Sequence, residues 1–403
     1  MFSLLLAGVL LAVSGVVTGL PAQQCTSENT VTADVVALDQ VIMYNRLGAF
    51  DPAGMIFALR RDVVSKDGSG TLEPGDVELR EGKRPRPLVL RVNEGDCLEV
   101  EFENLLAPEK VDEDQPATRE AGIHVVGMQA VDDIADLGAN VGENGASGNG
   151  LVDPGESTTY TYYAQKEGGH LFYSAGATTG GDGDGGSIAR GLFGSVNVEP
   201  PNSEWYRAKV LREDLELAKV GETPDGQPIL DYEATYPSGH EHEGLPILEM
   251  VQDGEIVHGE LDAVITGPDR GHFAGAQDST QCAQAAEPGP GGEAFPENTI
   301  LRNRCEPFRE FTTIFHDETG IVQAFDAFRD PVLSHTLHSG RDAFAINYGT
   351  GGIGARILAN RLGVGPQWDC SECKYEEYFL SSWPAGDPAT PVDVPANADL
   401  DGD

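Results

Sequence analysis

Pro87-Leu88-Val89-Leu90-Arg91-Val92, then Asn93-Glu94-Gly95-Asp96, then Cys97-Leu98-Glu99-Val100-Glu101-Phe102 is the stretch that decides the fold class. Two apolar runs flank a turn made of Asn, Gly and Asp. The segment therefore reads as consecutive strands of an antiparallel sheet. Upstream, Val31-Thr32-Ala33-Asp34-Val35-Val36-Ala37-Leu38 is rich in β-branched residues and alternates imperfectly. Downstream, Pro154-Gly155-Glu156 opens Ser157-Thr158-Thr159-Tyr160-Thr161-Tyr162-Tyr163, where β-branched and aromatic residues crowd. Short strands separated by turn residues argue for a β-sandwich.

Three further stretches carry chemistry or its remains. They are Gly122-Ile123-His124-Val125-Val126-Gly127, Gly168-Gly169-His170-Leu171-Phe172-Tyr173-Ser174-Ala175, and Gly191-Leu192-Phe193-Gly194-Ser195-Val196-Asn197-Val198-Glu199-Pro200. The first resembles the His-x-His-Gly loop of multicopper oxidases, and the second their Trp-Tyr-His-Ser-His strand. The third is similar to their Gly-Leu-Tyr-Gly-Ala-x-x-Val-x-Pro strand. Val92-Asn93-Glu94-Gly95-Asp96 and Pro154-Gly155-Glu156-Ser157-Thr158-Thr159-Tyr160 resemble two more signatures of the family's first domain. The likeness runs over roughly residues 85 to 200. Later, Asp342-Ala343-Phe344-Ala345-Ile346-Asn347-Tyr348-Gly349 resembles the Phe-x-Ile-Asn-Gly strand of the family's second domain. The run to Trp383, with Cys370-Ser371-Glu372-Cys373-Lys374, resembles a divergent bacterial branch.

The resemblance implies an all-β chain: two cupredoxin-like Greek-key β-sandwich domains with a linking helix. The expected division is a signal peptide over residues 1–22, domain 1 over 23–202, domain 2 over 203–385 and an acidic tail over 386–403. The linking helix is expected between Ser203 and Lys219. Ser203 would cap it, and Trp205, Val210, Leu211, Leu215 and Leu217 would give it a partial apolar face.

The family's activity is oxidation of a substrate with dioxygen through a type 1 copper and a three-copper cluster. A type 1 site needs two imidazoles and a thiolate, because soft donors suit copper. The family's cysteine lies in a His-Cys-His segment. Here Cys25, Cys97, Cys282, Cys305, Cys370 and Cys373 all lack a histidine within two residues. Of the four cluster positions that the motifs carry, the first falls on His124, the second on Val126, and the last two on Tyr173 and Ala175. His124 is thus the one candidate metal ligand. Against it stands a loop histidine satisfied by neighbouring backbone. His170 lies three residues before a ligand position and inherits no copper role.

Other histidines bear on metal binding as well. His240-Glu241-His242 places two imidazoles on one side of an extended segment, a metal clip or a solvent-exposed pair on a loop. His335 and His338 share a face only in a helix, and His316 lies beside Asp317 and Glu318. The sequence holds no Gly-x-Ser-x-Gly elbow, phosphate loop or His-Glu-x-x-His. Gly180-Gly181-Asp182-Gly183-Asp184-Gly185-Gly186 reads as an acidic flexible loop, with calcium the alternative. The closing Asp399-Leu400-Asp401-Gly402-Asp403 reads as a frayed acidic end or the start of a calcium loop.

A formal net charge of -40 excludes nucleic acid and acidic membrane surfaces as partners, both being polyanions. The carboxylates are spread along the chain, as in a solvation device rather than a cation site. Met1 to Leu20 is apolar and small, and Pro21-Ala22-Gln23 supplies a cleavage region, so the chain reads as secreted, extracellular or periplasmic. A membrane anchor is the rival reading of that run. Six cysteines in an exported chain suggest disulfides and admit fifteen pairings. Cys282 with Cys305 would staple a Pro/Gly-rich loop, and Cys370 with Cys373 would form a local bridge.

These readings lead to a multicopper oxidase-like, copper-binding oxidoreductase by family that lacks the type 1 and most cluster ligands. It is expected to be inactive alone and to depend on a missing C-terminal cupredoxin domain or a second chain. The alternative is a non-catalytic binding or structural protein on a metal-free cupredoxin scaffold.

Overall fold

The computed structural model describes residues 25–43, 49–81, 83, 85–131, 137–139, 150–177, 186–208, 210–224, 226, 228–271, 273, 307–323 and 340–347. The leader, the acidic tail, Cys282, Cys305, Cys370, Cys373, His335, His338 and Gly180–Gly185 lie outside these residues. The described chain is all-β and built of packed sheets, as the sequence led us to expect.

Two sheets form the sandwich. In the larger, Thr30–Asp39 pairs in parallel with Cys97–Asn104, which pairs antiparallel with Ser157–Tyr163. Met55–Leu59 adds to the other side of Thr30–Asp39. In the smaller sheet, Leu88–Asn93 runs parallel to Phe193–Glu199, which pairs antiparallel with Gly168–Tyr173, and His124–Val125 closes the edge. Apolar side chains of both sheets meet in one core. Val35, Phe57, Leu98, Val100, Phe102 and Tyr162 come from the larger sheet; Leu90, Val92, Val125, Phe172, Val196 and Val198 come from the smaller. Phe57 sits against Phe102 and Phe172 at ring-centroid distances of 6.0 and 5.4 Å. Each fully buried phenylalanine contributes about 1.5–3 kcal/mol relative to an exposed one.

The imperfect alternation of Thr30–Asp39 has a physical cause. Val35 and Ala37 face the sandwich core, while Val36 and Leu38 enter a second cluster with Ile56, Ala58, Val63, Val77 and Leu105. A strand buried on both faces has no polar side to show.

The opening expectation is corrected in one respect. Leu88–Asn93 and Cys97–Asn104 are not neighbours in one sheet; they belong to opposite sheets. The intervening turn is a corner. Gly95 takes φ +95° there, which glycine adopts without strain. The Glu94 N–H donates to the Glu199 carbonyl at 2.8 Å and the Gly95 N–H to Ala164 at 2.8 Å. Leu90 and Val92 thereby face Leu98, Val100 and Phe102 across the core.

The linking helix is shorter than expected. Among the described residues of that stretch only Arg212–Ala218 is helical, and its first flanking residue is Leu211 rather than Ser203. Glu204–Arg207 is instead a strand with Trp205 and Tyr206 buried, paired with Asp262–Thr266. The Ser203 hydroxyl donates to the Pro200 carbonyl at 2.5 Å. Residues past 203 remain attached to the first core: Trp205, Ile256, Ile265 and Phe273 belong to it. Asp262–Thr266 also pairs with Phe308–Phe311, and Ala49–Asp51 pairs with Ile314–Gln323, which pairs with Gly340–Asn347. The stretch from Asp342 is thus a strand, as its motif implied.

One disulfide is present among the described residues, Cys25–Cys97, with Cα atoms 5.7 Å apart. It stitches the start of Thr30–Asp39 to the start of Cys97–Asn104, whose Thr30 and Cys97 are cross-strand partners.

Candidate functional site

The His124 loop and the Tyr173 strand meet at the free edge of the smaller sheet. Ile123 and Val125 are apolar and buried in the core, so the strand period turns His124 and Val126 to the opposite side. Tyr162 Oη donates to the Ile123 carbonyl at 2.8 Å and fixes the loop from below. Val125 stands opposite Phe172 and His124 opposite Tyr173 in an antiparallel ladder. The Val126 N–H donates to the Leu171 carbonyl at 2.8 Å, and Gly127 then turns the chain with φ +84°.

Two of the four motif positions, His124 and Tyr173, are therefore direct cross-strand neighbours. Their rings meet edge to face at 5.6 Å. Val126 is exposed, and Ala175 lies beyond the end of the strand with little exposure. Ser174 is wholly buried, and its Oγ accepts from the Gly122 and Gly176 N–H groups. The serine of the motif is a structural clasp.

His124 is half-buried, and its Nδ1 is shielded from solvent with no hydrogen-bond partner among the described residues. Burial pushes its pKa below the ordinary histidine value, so the ring is neutral near pH 7. Neutral imidazole is the form that ligates a metal. His170 differs. Its Nδ1 lies 3.0 Å from the Val126 carbonyl, where it donates and ties the edge strand's exit to the neighbouring strand.

The donor set does not by itself fit copper. Among the described residues no group of three His, Cys, Asp or Glu side chains is placed to hold a metal ion. A copper cluster needs several imidazoles, and the three companions of His124 are valine, tyrosine and alanine.

The His240-Glu241-His242 segment does not form a chelate. His242 Nε2 lies 2.7 Å from Arg80 Nη1, a contact in which imidazole must accept. Burial, with Arg80 second, holds the His242 pKa below the usual histidine range. His240 stacks on Tyr236 at 4.5 Å, and its Nδ1 accepts from the His242 N–H. His316 packs edge-on against Phe193 at 4.6 Å.

Sequence reasoning passed over the buried ions. Arg91, only 1% exposed, sits between Glu199 and Glu310. Asp51, also 1% exposed, pairs with Arg190 at 3.1 Å. Neither pair lies close in sequence, and both charges fall at strand positions that pattern alone reads as ordinary.

No protein-family model matches the chain, and no curated protein sequence matches it. Among solved structures it is similar to a multi-copper oxidase from Pseudomonas thermotolerans. The identity is 21% and the TM-score 0.24, covering 42% of this chain and 30% of that one. A second multicopper oxidase is similar at 23% identity and TM-score 0.24, covering 42% of each chain. A copper nitrite reductase from Nitrosomonas europaea is similar at 20% identity and TM-score 0.24, covering 43% of this chain and 42% of that one. The chain thus spans less than half the length of each of these copper proteins.

Proposed function

We propose that this chain is an exported, multicopper oxidase-like protein that offers copper one donor, His124, and depends on a further cupredoxin domain or a second chain for the rest. The carrying observation is the shielded, unpartnered Nδ1 of His124 at a sheet edge, directly across from Tyr173. A buried imidazole nitrogen without a hydrogen bond is costly unless something else occupies it. The Cys25–Cys97 bridge supports export, since such bonds persist in oxidising compartments. On this reading the isolated chain oxidises no substrate.

A second reading has its own support. Tyr173 fills the space beside His124 with an aromatic ring, as expected of a scaffold that has given up metal for packing and binds a partner without catalysis.

Copper titration of the purified chain, followed by visible and paramagnetic resonance spectra, tests the first reading. Weak copper uptake without an intense blue thiolate band is expected, and His124→Ala should abolish it. An intense blue band at stoichiometric copper, or oxygen consumption by these 403 residues alone, would contradict it. Uptake unchanged in His124→Ala would leave the metal-free scaffold.

A further inference from the structure

The strand Phe308–Phe311 lies at the edge of a three-stranded sheet with Asp262–Thr266 and Glu204–Arg207. Its Glu310 reaches into the sandwich, where it meets residues more than a hundred positions away. Glu310 Oε1 accepts from Arg91 Nε at 3.1 Å, from Arg91 Nη2 at 2.6 Å and from Asn197 Nδ2 at 2.7 Å. Asn197 also donates to Thr312 Oγ1 at 2.7 Å. Arg91 spends its remaining donors on the Glu260 and Leu261 carbonyls at 2.8 and 3.1 Å.

A second carboxyl group enters the same chamber. Glu199, 2% exposed, places its buried Oε1 3.5 Å from Arg91 Nε, where it finds no hydrogen-bond partner among the described residues. Glu310 Oε1 accepts from that same Nε at 3.1 Å, so two carboxyl groups converge on one guanidinium nitrogen. One guanidinium neutralises one carboxylate, and burying a second uncompensated negative charge is prohibitive.

We propose that Glu199 and Glu310 hold one proton between them beside Arg91, and that losing this proton releases the Phe308–Phe311 strand from the sandwich. Protonated Glu199 donates to ionised Glu310, and Glu310 in turn anchors its strand on Arg91 and Asn197. When the proton leaves to solvent, two anions face one cation in a largely buried chamber. The relief available is withdrawal of Glu310, which sits on the edge strand, whereas Glu199 ends a strand buried along its whole length.

The surrounding charges agree. Burial first, then the Glu310 charge, push the Glu199 carboxyl well above the usual range. Glu167 adds repulsion in the same direction. Burial opposes ionisation of Glu310 too, but Arg91 and the bonds from Glu199 and Asn197 outweigh it and hold its carboxyl low. Asp262 stands across the ladder from Phe311, and Glu260 presents its backbone carbonyl to Arg91. Arg91 is the single cation bonded to the pair among the described residues.

The sign follows from linkage. Between the ordinary glutamate value of the opened strand and the pair's upper ionisation, opening releases one proton, so the closed state weakens as pH rises through that window and levels off above it. Hydrogen exchange of the full-length chain, corrected for intrinsic rates, reads this out. Protection of amides around residues 308–312 should fall as much as tenfold per pH unit through that window and level off above it. The core strand Cys97–Asn104 should keep its protection. Glu199→Gln, which donates a hydrogen bond but has no proton to lose, should flatten the pH dependence and keep the strand closed at pH 8. The same slope in Glu199→Gln as in wild type would overturn the proposal. Should that variant fail to fold, infrared spectroscopy of Asp51→Asn, which removes the other buried carboxyl, raised to about 6, decides. A buried carboxylic C=O band must vanish over the pH range in which protection falls, and its absence at pH 5 refutes the shared proton.

Discussion

Replacing both cysteines of the Cys25–Cys97 bridge with alanine should lower the unfolding free energy by about 4 kcal/mol. The bridge joins residues 72 apart in sequence. In the chain-entropy account, closing a loop of that length removes roughly 15 cal/mol/K from the unfolded ensemble, hence about 4 kcal/mol at 25 °C. The native side adds a smaller term, because Cys97 is fully buried and its truncation leaves a small void. The pairing that the bridge closes is non-local and parallel: Thr30–Asp39 beside Cys97–Asn104 over eight residue pairs. Without the bridge, that pairing must be found by a free chain end. Urea unfolding monitored by circular dichroism and by tryptophan fluorescence, with buried Trp205 as one reporter, measures the loss. The double variant isolates this bridge from the other four cysteines, which added reductant would not. A change below about 1 kcal/mol with an unaltered denaturant slope would refute the reasoning. It would mean either that the bond does not form or that the unfolded chain is already closed there by other contacts.

Three further outcomes follow from the geometry. Gly194→Ala should destabilise by about 1–3 kcal/mol or prevent folding, because its methyl would collide with the Leu88 carbonyl oxygen and the Phe172 ring; thermal melting checks this. Burial raises the Asp51 carboxyl to about 6 although Arg190 opposes the shift. Its folded-state value exceeds its unfolded one, so its contribution is complete below about pH 4 and is lost as pH rises through 6. The loss amounts to about 3 kcal/mol, and Asp51→Asn should remove that segment of the stability–pH curve. Tyr162→Phe removes the hydroxyl donor to the Ile123 carbonyl and should cost about 1 kcal/mol, while shifting the proton resonances of the His124 ring that this carbonyl's strand positions.

Much of the frame was legible in the residues. The strands at Cys97–Asn104, Ser157–Tyr163 and Phe193–Glu199 follow from β-branched and aromatic runs bounded by turns. The glycines of the Gly191-to-Pro200 motif now have a cause: Gly191 takes φ +109° against the Met55 carbonyl, and Gly194 lies flat on Phe172. The corner at Gly95 was not legible. Hydrophobic pattern says that both flanking runs are buried, but a hairpin and a crossing between sheets bury them equally well. The helix after Ser203 was misjudged for a related reason: Trp205, with Val210 and Leu211, fits an apolar helical stripe as readily as it fits a strand held by Asp262–Thr266.

Composition and local pattern alone determined that this chain is β-rich and acidic. These are properties of single residues and their near neighbours. Only the tertiary structure decided that His124 lies across from Tyr173, that Cys25 reaches Cys97, and that Glu199 and Glu310 converge on Arg91. Each of those joins segments far apart in sequence. Their chemistry arises from dry proximity, which no local pattern encodes.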